Sequence, residues 1–417
     1  MSGTNGAAPH VGIEALDVYG GCAFLDVELL AGARGLDMSR FRNLLMRRKS
    51  VALGVEDPVS FAVNAAKPIV DRLGPETRDR IELLVVATES GLDFGKPIST
   101  YVHQYLGLGR HCRTFEVKHA CYGGTAALQT ALDFVLARIG TGAKALVVTT
   151  DVARPLKATY AEPSQGAAAV AMLVGTEPSV LEIEIGRNGV YGYEVMDSCR
   201  PTSDIEIGDP DLSLLSYLDC IEHSFAHYAR RAGGADFQDD FAYLAFHTPF
   251  GGMVKGAHRA MMRKLKRLPP DMVEADFTQR MLPSLRFCRE VGNVYSGTVF
   301  LALAGALATG DMSTTKRIGL FSYGSGCCSE FYSGLTGRAT SDAIAGARIG
   351  ARLDERHELS MDEYEAAMRL NQATRFGTET LVAEPRELRH VYERTLQDRG
   401  LLVLDRIDGY HRTYRWS

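Results

Sequence analysis

The stretch Lys118-His119-Ala120-Cys121-Tyr122-Gly123-Gly124-Thr125 decides how this chain is read. It joins an apparent strand over 114–117 to a long amphipathic helix over 121–139. At such a turn the unpaired N–H groups and the positive dipole end of the helix stabilise a thiolate and offer donors to an oxyanion. Gly123 and Gly124 leave room for an acyl group beside Cys121. A buried cysteine with no chemistry suits the same turn, so the rest of the chain must supply the weight.

Moving outward, the strand-turn-helix pattern recurs. Buried strands are expected over 81–88, 144–150, 167–174, 241–246 and 317–323, with helices over 58–73, 214–231, 252–267, 277–290 and 294–308. Apolar, β-branched runs alternating with amphipathic stretches predict an α/β fold. Neither a short-period repeat nor a low-complexity linker interrupts it.

Polar residues gather where these strands end, the edge at which α/β sheets form ligand crevices. Glu89 follows the strand over 81–88, where a carboxylate of raised pKa would act as a base, or simply cap a turn. His247 follows 241–246 and opens His247-Thr248-Pro249-Phe250-Gly251-Gly252; a hydrogen-bonded core histidine fits equally well. The turn Phe321-Ser322-Tyr323-Gly324-Ser325-Gly326 offers backbone donors for an oxyanion hole. Asn293 opens a helix, as its cap or as an amide that holds a carbonyl. Spacing alone does not say whether these elements converge.

Composition narrows the function. The 417 residues carry a formal charge of −5, with 46% hydrophobic and 23% charged residues. Lys and Arg are scattered, which gives no footprint for nucleic acid. Residues 1–10 lack a signal-peptide pattern, and no apolar run reaches the roughly 18 residues of a membrane span, so a cytoplasmic chain is expected. The eight cysteines (22, 112, 121, 199, 220, 288, 327 and 328) are too sparse for a disulfide scaffold and include no C-x-x-C pair. No metal is expected at the site.

Read together, Thr88-Glu89-Ser90, Ala120-Cys121-Tyr122 and His247-Thr248-Pro249-Phe250 resemble the 3-hydroxy-3-methylglutaryl-CoA synthase family of the thiolase superfamily. Glu162-Pro163-Ser164-Gln165-Gly166-Ala167 and Gly292-Asn293 add to the likeness, which covers most of the chain. Several stretches look most like the branch encoded with modular polyketide synthases, the β-branching enzymes that act on carrier-bound chains. Among them are Ser90-Gly91-Leu92-Asp93-Phe94-Gly95-Lys96, Gly251-Gly252-Met253-Val254-Lys255-Gly256-Ala257-His258-Arg259 and Tyr414-Arg415-Trp416.

The resemblance implies a five-layered α-β-α-β-α thiolase-like fold, with a flexible tail over 1–10 and pseudo-symmetric halves over 11–180 and 181–417. It implies a homodimer without a tightly bound cofactor. Cys121 would carry an acetyl group from a donor acyl carrier protein, and Glu89 would deprotonate its methyl. His247 and Asn293 would hold the β-ketone of a polyketide on an acceptor carrier protein. The backbone at Cys121, Ser325 and Gly326, with Tyr160 and Gly166, would line the substrate site, and Lys255, His258 and Arg259 would grip phosphopantetheine or the carrier. The segment 151–160 is shorter than the family pattern, which bears on donor recognition.

Three other functions remain compatible with parts of this pattern. A primary-metabolism synthase using acetyl-CoA and acetoacetyl-CoA would share the catalytic residues but need a basic pocket for the nucleotide phosphates. A Cys/His hydrolase would have no use for Glu89. A non-catalytic carrier-binding protein would need none of the three.

Overall fold

The computed structural model describes residues 10–159, 161–202 and 205–417; residues 1–9 of the expected tail and Tyr160 lie outside the described residues. Nine strands form the main sheet: β1 Gly12–Tyr19, β2 Ile81–Ala87, β3 Arg113–Val117, β4 Lys144–Val152, β5 Ala167–Gly175, β6 Leu181–Gly192, β7 Tyr243–Phe246, β8 Arg317–Gly324 and β9 Cys328–Leu335. The unbroken apolar runs became central strands because helices cover both their faces. Every residue of β4 and β5 is buried.

The strand order is β7-β8-β9-β6-β1-β5-β4-β2-β3. On one side β2 and β4 run parallel, and β4–β5 and β5–β1 antiparallel. The other side repeats those senses as β7–β8 parallel, then β8–β9 and β9–β6 antiparallel. Only Gly12↔Glu182 and Ile13↔Leu181 pair across the seam between β1 and β6. Among the described residues β3 has no counterpart in the second set and forms an open edge.

Helices complete the layers. α1 (Pro58–Asp71) lies on the outer face of β1, β4 and β5, while α3 (Pro210–Arg231) and α4 (Gly251–Leu265) flank the far side. Between the two sets lie α2 (Gly123–Leu136) and α5 (Thr298–Thr309). This is the expected thiolase-like layering. Residues 298–307 of α5 are buried on every side, as the apolar composition of a helix in a middle layer requires. α2 meets the start of α5 at Gly124, where a Cβ would lie 2.9 Å from the Phe300 ring and 2.1 Å from the Ser296 carbonyl oxygen in the turn just ahead of α5.

One expected helix is broken. Residues 277–290 run as a π-turn at Phe277–Met281, a 3₁₀ turn at Leu282–Ser284 and an α-helix at Leu285–Val291. Pro283 lacks the N–H and sterically opposes a continuous helix. Farther on, the hairpin Leu402–Asp408/His411–Trp416 packs over α1 and the first set of strands, and α6 (Met361–Ala373) packs against the short strands Ala23–Asp26 and Arg48–Val51. Among the described residues no helix is long and apolar enough to cross a membrane.

Candidate active site

Five strand ends deliver the site. Beyond β3, Ala120 adopts a φ of +40°, a left-handed turn that presents Cys121 immediately before α2. The turn is closed by Tyr122 N–H to the His119 carbonyl at 3.0 Å. The Tyr122 hydroxyl donates to Glu330 of β9 at 2.8 Å, which ties the loop to the other set of strands. Gly324 at the end of β8 lies against this loop, and any Cβ there would sit 2.6 Å from Tyr122 N. Glycine is therefore what lets the Ser325 turn approach the cysteine.

Glu89 ends β2 with its Oε1 3.2 Å from Cys121 Sγ, the thiol donating. Burial pushes this carboxyl up to about 7; Arg200 opposes the rise and Asp151 adds to it. The Cys121 thiol is also pushed up, by burial first and then by the Glu89 carboxylate. The expectation of a thiolate at the helix start is therefore corrected: a protonated thiol rests against a carboxylate, because desolvation and that negative neighbour outweigh the helix dipole. Passing the proton from Sγ to Glu89 moves charge within the pair and creates no new buried ion.

Asp151, fully buried at the end of β4, holds the base in place. Its Oδ1 accepts from Glu89 N (2.8 Å), Ser90 Oγ (2.9 Å) and Thr88 Oγ1 (3.1 Å), while Oδ2 accepts from Ser296 Oγ (2.5 Å). One carboxylate thus locks the Glu89 turn to the turn that carries Asn293. Arg200, on the ribbon Ser198–Thr202/Ile205–Gly208, lies above Glu89. It donates to the Glu89 carbonyl at 3.3 Å and to Glu206 at 3.2 Å, with its guanidinium 5.0 Å from the Tyr295 ring centre.

His247 leaves β7 with its N–H bonded to the Phe321 carbonyl (2.7 Å) and its carbonyl accepting from Tyr217 (2.7 Å). Burial lowers its pKa to about 3, so the imidazole is neutral, and its Nδ1 has no hydrogen-bond partner among the described residues. Asn293 is fixed by backbone bonds to Ser164 (2.7 Å) and Gly166 (2.9 Å). Its Oδ1 accepts from Tyr295 N and Thr298 Oγ1, both at 2.9 Å, which leaves the amide Nδ2 to donate elsewhere.

Other expected residues are placed differently. The Gly326 N–H is spent on Asp197 (2.9 Å), so the turn's candidate oxyanion donor narrows to Ser325. Gly166 is a buried spacer: a Cβ would meet the Val291 carbonyl at 1.9 Å, and its N–H is taken by Asn293. His258 is wholly buried on the apolar face of α4, bonded to Asp276 at 2.6 Å, and cannot grip a carrier. Lys255 is half-exposed and paired with Glu274 at 2.6 Å, while Arg259 is exposed. Asp151, Asp197 and Arg200 were missed by the sequence reading. Only Asp151 left a signal, as an acid at the end of a buried strand.

The hydroxymethylglutaryl-coenzyme A synthase N-terminal and C-terminal family models match residues 8–179 and 262–416. The chain belongs to the hydroxymethylglutaryl-CoA synthase family. This synthase is 53% identical over 415 residues to the Bacillus subtilis polyketide biosynthesis 3-hydroxy-3-methylglutaryl-ACP synthase PksG, covering 97% of this chain and 99% of that one. It is 32% identical to an Enterococcus faecalis hydroxymethylglutaryl-CoA synthase, with coverage of 97% and 99%. Among solved structures, the curacin biosynthetic pathway HMG synthase in complex with acetyl donor-ACP superposes with a TM-score of 0.95 at 53% identity, covering 98% of this synthase and 100% of that chain. As in its family, this synthase is an acyltransferase that forms carbon–carbon bonds.

Proposed function

We propose that this synthase performs polyketide β-branching: it condenses an acetyl group from an acetyl-loaded acyl carrier protein with the β-ketone of a polyketide on a second carrier protein. The observation that carries the chemistry is the 3.2 Å contact between Cys121 Sγ and Glu89 Oε1. Glu89 takes the thiol proton as sulfur attacks the acetyl thioester. The carrier's phosphopantetheine sulfur leaves with that proton, and the acetyl group is stored on Cys121. Glu89, ionised again, removes a methyl proton, and the N–H groups of Cys121 and Ser325 stabilise the enolate oxygen.

The enolate carbon then attacks the β-ketone, which the neutral His247 imidazole and Asn293 Nδ2 hold by hydrogen bonds. The proton taken by Glu89 returns to the new alkoxide. Water cleaves the Cys121 thioester, releasing a 3-hydroxy-3-carboxymethyl acyl chain on its carrier and the free thiol. Holding both tethered acyl groups in place supplies roughly 7–11 kcal/mol of the barrier.

Carrier-linked over CoA-linked substrates is favoured by the likeness to the carrier-acting relatives. It is also favoured by the state of the expected basic pocket, with His258 buried and Lys255 neutralised by Glu274. We further read the chain as two units, 11–180 and 181–417, meeting at the seam between β1 and β6. We read it also as a cytoplasmic homodimer in which a second copy covers the open edge of β3.

Intact mass spectrometry tests the main reading. Acetyl-carrier protein should add about 42 Da to the wild-type protein and nothing to Cys121→Ser. Acetylation from acetyl-CoA at an equal or faster rate would favour the primary-metabolism reaction, and no adduct from either donor would remove Cys121 as nucleophile.

A further inference from the structure

Outside the catalytic turns, three side chains from separate elements converge in the C-terminal region. His357 lies in the short strand His357–Glu358, which runs parallel to Ala23–Asp26 and is held by its N–H to the Cys22 carbonyl at 2.9 Å. Glu363 is the third residue of α6 and completes a capping box, its Oε2 accepting from Ser360 N at 2.7 Å. That bond aims Oε1 at two imidazoles: Nε2 of His390, from the helix Arg389–Thr395, at 2.6 Å, and Nε2 of His357 at 3.4 Å. Nε2 of His357 is buried without a hydrogen-bond partner among the described residues.

We propose that His357, Glu363 and His390 form a binding site for a divalent first-row transition-metal ion, zinc foremost, with water completing the coordination. All three ligand atoms lie within 4.8 Å of one another. An ion about 2.0–2.2 Å from each ligand needs neighbouring donors roughly 3.3 Å apart in a tetrahedron, so the adjustment is small and falls mainly on exposed His390. Two imidazoles and a carboxylate suit zinc and its neighbours, whereas calcium and magnesium demand oxygen.

Glu363 is already oriented by a bond behind the ligand atom, the arrangement that fixes ligands in metal centres. The site would join the strand at His357, the start of α6 and the helix Arg389–Thr395. Its role is therefore structural stapling, with stabilisation that grows with metal concentration.

The test uses the full chain, stripped by chelator and titrated with cobalt(II) and zinc(II). We expect one equivalent bound, d–d bands without a thiolate-to-cobalt charge-transfer band, and a melting temperature that rises with zinc. His390→Ala, at an exposed position, should fold and bind at least roughly tenfold more weakly, with the thermal shift lost. No saturable binding by the wild type, undiminished binding by His390→Ala, or a thiolate band reporting one of the eight free cysteines would overturn the site and leave only a hydrogen-bonded His-Glu-His cluster.

Discussion

Between Cys121 Sγ and Glu89 Oε1 one proton has two homes, and the chemistry depends on which is occupied. Glu89 is raised from the ordinary carboxylate range to about 7, so condensation should climb as pH rises through about 7 and lose its base below. His247, lowered to about 3, should add no inflection between pH 5 and 8. A pH profile of condensation checks both. Glu89→Gln should slow acetylation of Cys121, because the thiol loses the group that takes its proton, and should condense on the order of 10²–10⁴-fold more slowly, measured by the mass of the acetylated protein and of the product on the acceptor carrier. The same shift bears on stability. A carboxyl whose folded pKa is raised binds more protons folded than unfolded, so it costs stability as pH rises from its unfolded pKa through about 7. Glu89→Gln should therefore melt higher than wild type above pH 7, with the gap closing on acidification.

At the scale of elements, the site depends on two glycines that allow close approach. Gly124→Ala would place a methyl group 2.1 Å from the Ser296 carbonyl oxygen, between the helices of the middle layer. Overpacking of this kind costs about 1–3 kcal/mol or more, seen as a lower melting temperature. Gly324→Ala would instead push on Tyr122 N at 2.6 Å, so cysteine acetylation should slow more than stability falls. Both glycines stood in motifs visible in the sequence, as did Glu89, Cys121, His247 and Asn293, because strand ends and glycine-rich turns leave a local imprint. Arg200 and Asp197 left none. Their value comes from partners distant along the chain, Glu89 for one and the Gly326 N–H for the other. His258 misled for the converse reason. Its motif is basic, but helical periodicity sets it beside Val254, Ala257 and Met261, inside the core.

At the scale of the whole molecule, the second set of strands supplies His247 and the Ser325 turn to the nucleophile and base of the first, and Asn293 comes from the turn between Leu285–Val291 and α5, so the site exists only while the two sets stay in register. The C-terminal hairpin braces α1 on the first set. Arg412 bonds Asp57 at 2.9 Å, Tyr414 donates to the same carboxylate at 2.7 Å, and Asn64 exchanges two bonds with Leu402. Arg412→Ala would leave the Asp57 carboxylate short of its buried cation at the N-cap of α1. It should cost about 3–5 kcal/mol, read by denaturant unfolding, while the Cys121–Glu89 pair itself is untouched.

The placement of β1 between β5 and β6 also sets a clock on synthesis. Residues 12–19 leave the ribosome early, yet they find their sheet neighbours only when 167–175 and 181–182 emerge. At translation speeds of about 5–20 residues per second, that strand waits roughly 8–30 s with both edges unpaired. A nascent chain of this topology must be shielded during that interval, and slow codons between positions 19 and 167 would lengthen its exposure to aggregation.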